Sequence, residues 1–115
     1  MPEKSPFDLD QYQFYDVGSE SEVNPGERIF FTIGDNPIVL LNINGNYYAL
    51  ADVCTHDDGP LGDGEIDGCA IICPRHGARF DVRTGAVLAF PAVRPVPVYP
   101  VRVIDGRVEV GIIKG

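Results

Sequence analysis

"CTHDDGPLGDGEIDGCAIICPRH", residues 54–76, sets a Cys and a His two positions apart, then, after sixteen intervening residues, a Cys and a His three positions apart. The chain holds three cysteines and two histidines, and both histidines fall in this window. Gly59, Pro60, Gly62 and Gly64 follow the first pair, and Pro74 and Gly77 flank the second. These are residues that turn a chain rather than extend it. "CAIIC" between them reads as a short strand that delivers the second loop. Two loops at one end of a small β unit, each with one thiol and one imidazole, can enclose a metal centre between Cys54, His56, Cys73 and His76. A lone Cys packs as a small hydrophobe and a lone His is a surface or hydrogen-bonded residue, but four of them in this pattern are not explained that way. Cys69 is different. It stands four residues before Cys73, about 13 Å along an extended strand, too far for a disulfide or a shared ligand set. It reads as core packing.

Around this window the punctuation is that of an all-β chain. "RIFFTI", "IVLLNI" and "NYYALADV" are β-rich runs, and Asn44-Gly45 between the last two is a strong hairpin signal. Asp105-Gly106 marks a second hairpin inside "VYPVRVIDGRVEVGII", and "ARFDV" and "AVLAF" flank a turn at Thr84-Gly85. Pro91, Pro95, Pro97 and Pro100 lie in and before the penultimate strand, which places its start at a sheet edge. Tyr47 and Tyr48 alternate along one strand, so one is expected in the core and one at the surface. No stretch keeps a 3.6-residue apolar period free of Gly and Pro long enough for a helix of ordinary length.

At 115 residues the chain is read as one domain, 1–115, with residues 1–12 a lead-in. Hydrophobic residues make up 44% and the net charge is −8, a balance for a globular protein rather than a disordered one. No run of apolar residues is long enough to span a membrane, and the start lacks the basic-then-apolar pattern of a signal peptide. The expectation is therefore a cytoplasmic protein whose thiols stay reduced. Residues 1–74 carry fourteen acids against Lys4 and Arg28, whereas residues 75–115 carry six Arg and Lys114 against three acids. A domain this acidic is a poor binder of nucleic acid. Its acidic face suits a basic protein partner, although such a surface also serves solubility alone.

Two Cys and two His suit tetrahedral zinc, but zinc sites usually keep the Cys pair and the His pair together. One Cys and one His in each loop matches instead a [2Fe–2S] centre in which two histidines replace two cysteines on one iron. On "CTH", "CPRH" and the run "CPRHGARFDVRTGAV", the sequence resembles the Rieske family, and more loosely so from "GNYYALADVCTH" to "VIDGRVEV". The resemblance implies a fold of three small antiparallel sheets, with about residues 52–92 as a cluster-binding subdomain, and one [2Fe–2S] cluster per chain. It implies that Cys54 and Cys73 hold the inner iron, and that His56 and His76 hold the outer, redox-active iron near the surface. Leu61 and "FPAV", residues 90–93, match positions where the family folds apolar side chains over the cluster. Gly59 and Gly77 match places where backbone N–H groups approach sulfur, with plain turn geometry as the rival reading.

The subtype follows from what the matching positions hold. Higher-potential respiratory members have an extra Cys in each loop, a Ser and a Tyr after the second His, and a membrane anchor. Here the loops hold "DDGPL" and Pro74-Arg75, the hydroxyl positions hold Ala78 and Phe80, and no anchor is visible. Fewer donors to sulfur leave the reduced, more negative state less stabilised, so a lower potential is expected. The chain looks like a free-standing ferredoxin of the aromatic-ring dioxygenase and monooxygenase systems that serve aromatic hydrocarbon catabolism. Such a monomer would carry electrons from an NAD(P)H-dependent flavoprotein reductase to a terminal non-haem iron oxygenase, without a catalytic site of its own. Alternatives are a small subunit or ferredoxin of another pathway, such as assimilatory nitrite reduction or Fe–S assembly, and a zinc-stabilised binding module. Arg75 and Arg79 flank the second loop and Asp57 and Asp58 the first; whether they clamp the loops or touch a partner is open at this level.

Overall fold

The structure is a computed structural model and describes residues 7–55, 57–92 and 94–114. A 3₁₀ turn over Leu9–Gln11 leads into β1 (Tyr12–Ser19), and a second 3₁₀ turn, Glu20–Glu22, leaves it. Then follow β2 (Arg28–Ile33), β3 (Asn36–Ile43), β4 (Asn46–Ala51), β5 (Glu65–Asp67), β6 (Ala70–Ile72), β7 (Arg79–Asp81) and β8 (Val87–Ala89). Last come β9 (Val98–Tyr99), β10 (Val101–Ile104) and β11 (Arg107–Ile113). They form three antiparallel sheets, ordered β1-β11-β10, β2-β3-β4-β9 and β5-β6-β7-β8, as the all-β reading expects.

Turn chemistry accounts for the hairpins. Asn44 and Gly45 take φ of 55° and 91°, and Asp105 and Gly106 take 52° and 77°, so both central residues of each turn are left-handed. That geometry matches the natural twist of the paired strands and favours Asn-Gly and Asp-Gly. The register of β3 on β4 follows, with Ile43 opposite Asn46 and Ile38 opposite Ala51.

β3 is the centre of the molecule. Its residues Ile38 to Asn42 are all buried, on both faces of the sheet. Ile38 and Leu40 pack with Ala49, Val108 and Val110 toward the three-stranded sheet. Val39 and Leu41, pointing the other way, pack with Leu50, Leu61, Ile71 and Phe80. The β2–β9 sheet is thus covered on both faces, which explains why "IVLL" is apolar throughout rather than alternating. The same burial corrects the expectation for Tyr47 and Tyr48: both are half-buried, Tyr47 against one core and Tyr48 against the other. Asn42, the buried polar residue of β3, donates from Nδ2 to Val23 O at 2.8 Å and accepts the Gly45 N–H at 2.8 Å, so both of its ends are satisfied.

Two further points concern the ends of the sheets. Of the segment read as a lead-in, residues 1–6 lie outside the described residues, and strand begins at Tyr12, where β1 pairs along β11 from Tyr12 opposite Ile113 to Ser19 opposite Arg107. The "VYPVRVI" segment is split: β9 closes the four-stranded sheet at one edge, and after Pro100 β10 forms an edge of the three-stranded one. Proline at that crossing costs no ladder bond, since both pieces are edge strands.

Candidate metal centre

The two loops repeat one backbone design. In the first, Cys54 N–H donates to Gly59 O at 2.7 Å and Asp58 N–H donates to Cys54 O at 2.8 Å. In the second, Cys73 N–H donates to Ala78 O at 2.7 Å and Gly77 N–H donates to Cys73 O at 3.0 Å. Asp58 and Gly77, the fifth residue of each loop counting from the Cys, both take positive φ, 61° and 75°. Glycine meets that need without strain, and Asp is among the few other residues that tolerate it.

This design brings the thiols together. Cys54 and Cys73 are 0% and 1% exposed and share a core with Leu61, Ala78, Phe80 and Ala92. Burial works to raise the Cys73 thiol, but N–H groups of Arg75 and His76, the Cys54 side chain and the charge of Arg75 outweigh it and hold it below its ordinary value. A donor-rich pocket of this kind favours the thiolate, the form that binds metal. His76 lies at the surface with its side chain 43% exposed, and its Nε2 is 3.0 Å from Asp57 Oδ2. A proton on Nε2 facing that carboxylate puts the lone pair of the ring on Nδ1. His56 and Val93 lie outside the described residues.

The loops are anchored from several sides. Asp52 Oδ1 accepts the N–H groups of Leu61 and Gly62, and Arg28, on β2, donates from Nη1 to the carbonyls of Gly62 and Gly64. Thr55 Oγ1 donates to Arg94 O at 2.7 Å while Arg94 Nη2 donates to Thr55 O at 2.9 Å. Arg75 crosses from the second loop to Asp57 in the first, and the guanidinium holds the Asp57 carboxyl far below its usual range, helped by the Gly59 N–H. Arg79 pairs instead with Asp67 on β5, so of the two arginines only Arg75 bridges the loops.

Three expectations change. Phe90 is 83% exposed, whereas Leu61 and Ala92 are fully buried beside the cysteines. The Gly59 N–H donates to Asp57 Oδ1, not toward sulfur, and Gly77 serves its own turn. Cys69 packs against the core as expected, half-buried, but from the β5–β6 turn rather than from a strand. The supporting residues Arg28 and Asp52 escape the sequence reading, although Arg28 as a solitary arginine among fourteen acids is a signal in hindsight.

A model of the Rieske [2Fe–2S] domain matches residues 13–100. The chain belongs to the Rieske family. Among relatives of this Rieske protein, the anthranilate 1,2-dioxygenase ferredoxin subunit of Burkholderia cepacia is 33% identical over 100 residues, covering 87% of this chain and 93% of that one. The biphenyl dioxygenase ferredoxin subunit of Pseudomonas sp. (strain KKS102) is 38% identical over 90 residues, 77% of this chain and 82% of its own. Among solved structures, the ferredoxin of carbazole 1,9a-dioxygenase from Nocardioides aromaticivorans IC177 aligns with a TM-score of 0.79 at 31% identity, over 84% of this chain and 95% of that chain. A chain of the complex of reduced oxygenase and oxidized ferredoxin in carbazole 1,9a-dioxygenase gives 0.81 at 33%, over 89% and 95%.

The Rieske cofactor is one [2Fe–2S] cluster. The residues of the two loops fit it: two buried thiols in contact, N–H donors aimed at sulfur, and an imidazole at the solvent edge. Among the described residues no helix is long and apolar enough to cross a membrane.

Proposed function

We propose that this Rieske protein is a cytoplasmic, monomeric one-electron carrier of an aromatic-ring oxygenase system. It accepts electrons from an NAD(P)H-dependent flavoprotein reductase and delivers them to a terminal non-haem iron oxygenase, with no catalytic site of its own. The bound cluster supplies reversible storage of one electron at lower potential than in respiratory relatives. Cys54 and Cys73 hold the inner iron as thiolates, and His56 and His76 hold the outer iron through one ring nitrogen each. About residues 52–92 act as the cluster-binding subdomain on a base built from the other two sheets.

The observation that carries this reading is the pairing of fully buried thiols with an exposed imidazole, His76, in one pair of loops. Sulfur and dry core surround one side of the site, while His76 brings the other side to the surface where a partner can dock. Weak, fast docking suits a carrier that must meet two partners in turn. The relatives named above are ferredoxin components of dioxygenase systems, and one aligned chain comes from an oxygenase–ferredoxin complex. The test is an EPR spectrum of dithionite-reduced protein with iron and sulfide counts on the same sample. Two irons per chain and a rhombic signal of low average g are expected. A colourless sample with one zinc per chain overturns the carrier reading.

A further inference from the structure

We propose that Asp57 and Arg75 form a positioning pair that locks the two ligand loops in register and governs how long the cluster is retained. This inference rests on the ligand reading above and goes beyond it, because neither residue is a ligand.

The geometry is one-sided. Arg75, from the second loop, gives all three guanidinium nitrogens to the first: Nε to Asp57 Oδ2 at 2.7 Å, Nη2 to Asp57 Oδ1 at 2.8 Å and Nη1 to Pro60 O at 2.7 Å. Asp57 in turn accepts the Gly59 N–H at 3.0 Å and reaches His76 Nε2 at 3.0 Å. One carboxylate therefore joins the turn of its own loop, the arginine of the other and a proposed iron ligand. The repeat of the two loops gives this a simple logic. Counting from each Cys, Arg75 stands in the second loop where His56 stands in the first, and Asp57 stands in the first where His76 stands in the second. Each loop thus spends one of two adjacent positions on a ligand and the other on the bridge.

Gly59 makes the space. A Cβ built there would lie 2.7 Å from Arg75 Cζ and Nη2, and Gly59 has no left-handed φ to demand glycine for its own sake. The Asp57 and Arg75 side chains are 24% and 34% exposed, so solvent screens the pair and it adds little to global stability. Its effect falls on local opening of the loops, the motion through which a cluster is lost, and local opening is governed by local contacts. The charge of Arg75 is also felt at Cys73 and Cys54, which gives the pair an electrostatic signature separable from its mechanical one.

The test is the rate of iron release from holoprotein to a chelator, followed by visible absorbance, together with the midpoint potential of each variant. Asp57→Asn, Arg75→Met and Gly59→Ala are each expected to release iron roughly tenfold faster, with the Asp57→Asn/Arg75→Met double variant no faster than its singles, as for two halves of one interaction. Gly59→Ala keeps both charges and serves if Arg75→Met does not fold. Arg75→Lys keeps the charge without the fork and falls between. The potentials must move differently: down in Arg75→Met, up in Asp57→Asn, and little in Gly59→Ala and Arg75→Lys. Wild-type release rates in Asp57→Asn and Arg75→Met, or effects that multiply in the double variant, overturn the pair while leaving the ligands intact. Wild-type protein that purifies without iron overturns the ligand reading, and the pair with it.

Discussion

Thr55 and Arg94 hold each other twice, hydroxyl to carbonyl in one direction and guanidinium to carbonyl in the other. The contact joins residues 39 apart in sequence and fastens the segment after β8 to the first ligand loop. Ala92, two residues before Arg94, and Val96, two after it, are buried in the core that holds the cysteines.

Removing the latch is expected to loosen the segment without unfolding the protein. Thr55→Val deletes one hydrogen bond, worth about 0.5–1.5 kcal/mol. Hydrogen exchange of the Val96 amide, which bonds to Gly85 O, is expected to stay slow, while release of iron to a chelator speeds up. Unchanged release would show that the hydroxyl bond is dispensable and that the Arg94–Thr55 carbonyl bond with the packing of Ala92 and Val96 holds the segment.

Ala78 and Phe80 are both fully buried in the core that contains Cys54 and Cys73. Ala78→Ser and Phe80→Tyr each place a hydroxyl near the sulfur-rich side of the site. A donor that bonds the reduced state better by about 1 kcal/mol raises a one-electron potential by on the order of 40 mV. Redox titration is expected to show a rise for each variant. A hydroxyl that finds no acceptor gives instead an unchanged potential and a loss of stability of about 1–3 kcal/mol, visible in urea unfolding.

Leu40 and Leu41 are neighbours on β3 that face opposite cores. Truncating either to Ala is expected to cost about 2–5 kcal/mol of unfolding free energy. Only Leu41→Ala, which lies in the core of the cysteines, is expected to hasten iron release at temperatures where both variants are folded. Equal release from the two would mean that the cores are coupled as one.

Asp81 accepts from Arg83 Nε at 3.0 Å, Nη2 at 2.9 Å and the Arg83 N–H at 2.9 Å. The Arg83 hydrogen bonds hold its carboxyl below the ordinary value, against an opposing effect of burial. A carboxyl lowered in the folded state contributes stability that is complete above its unfolded value of about 4 and fades as pH falls through the folded value. The stability gap between wild type and Asp81→Asn in urea unfolding is therefore expected to be flat from pH 8 to 6 and to narrow below about pH 4. A gap that widens on acidification would reverse the assignment.

What the amino-acid sequence determined by itself was local chemistry. The Asn44-Gly45 and Asp105-Gly106 turns follow from the dihedral angles those residues tolerate. The Cys54, His56, Cys73 and His76 pattern follows from the donor atoms it offers, and the absence of hydroxyls at Ala78 and Phe80 is visible without coordinates. What only the tertiary structure decided depends on partners far away in the chain. Arg107 meets Asp16 across 91 residues because β1 and β11 pair, and no local signal in "YQFYDVGS" announces that pairing. Tyr47 and Tyr48 are both half-buried because two other sheets cover the one they share, where alternation along a single strand predicts one face wet. Arg75 rather than Arg79 bridges the loops because Arg75 lies in the turn that faces Asp57, whereas Arg79 starts β7 and reaches across the sheet to Asp67 on β5. Spacing along the chain supplies the candidates; the packing of three sheets selects which of them meet.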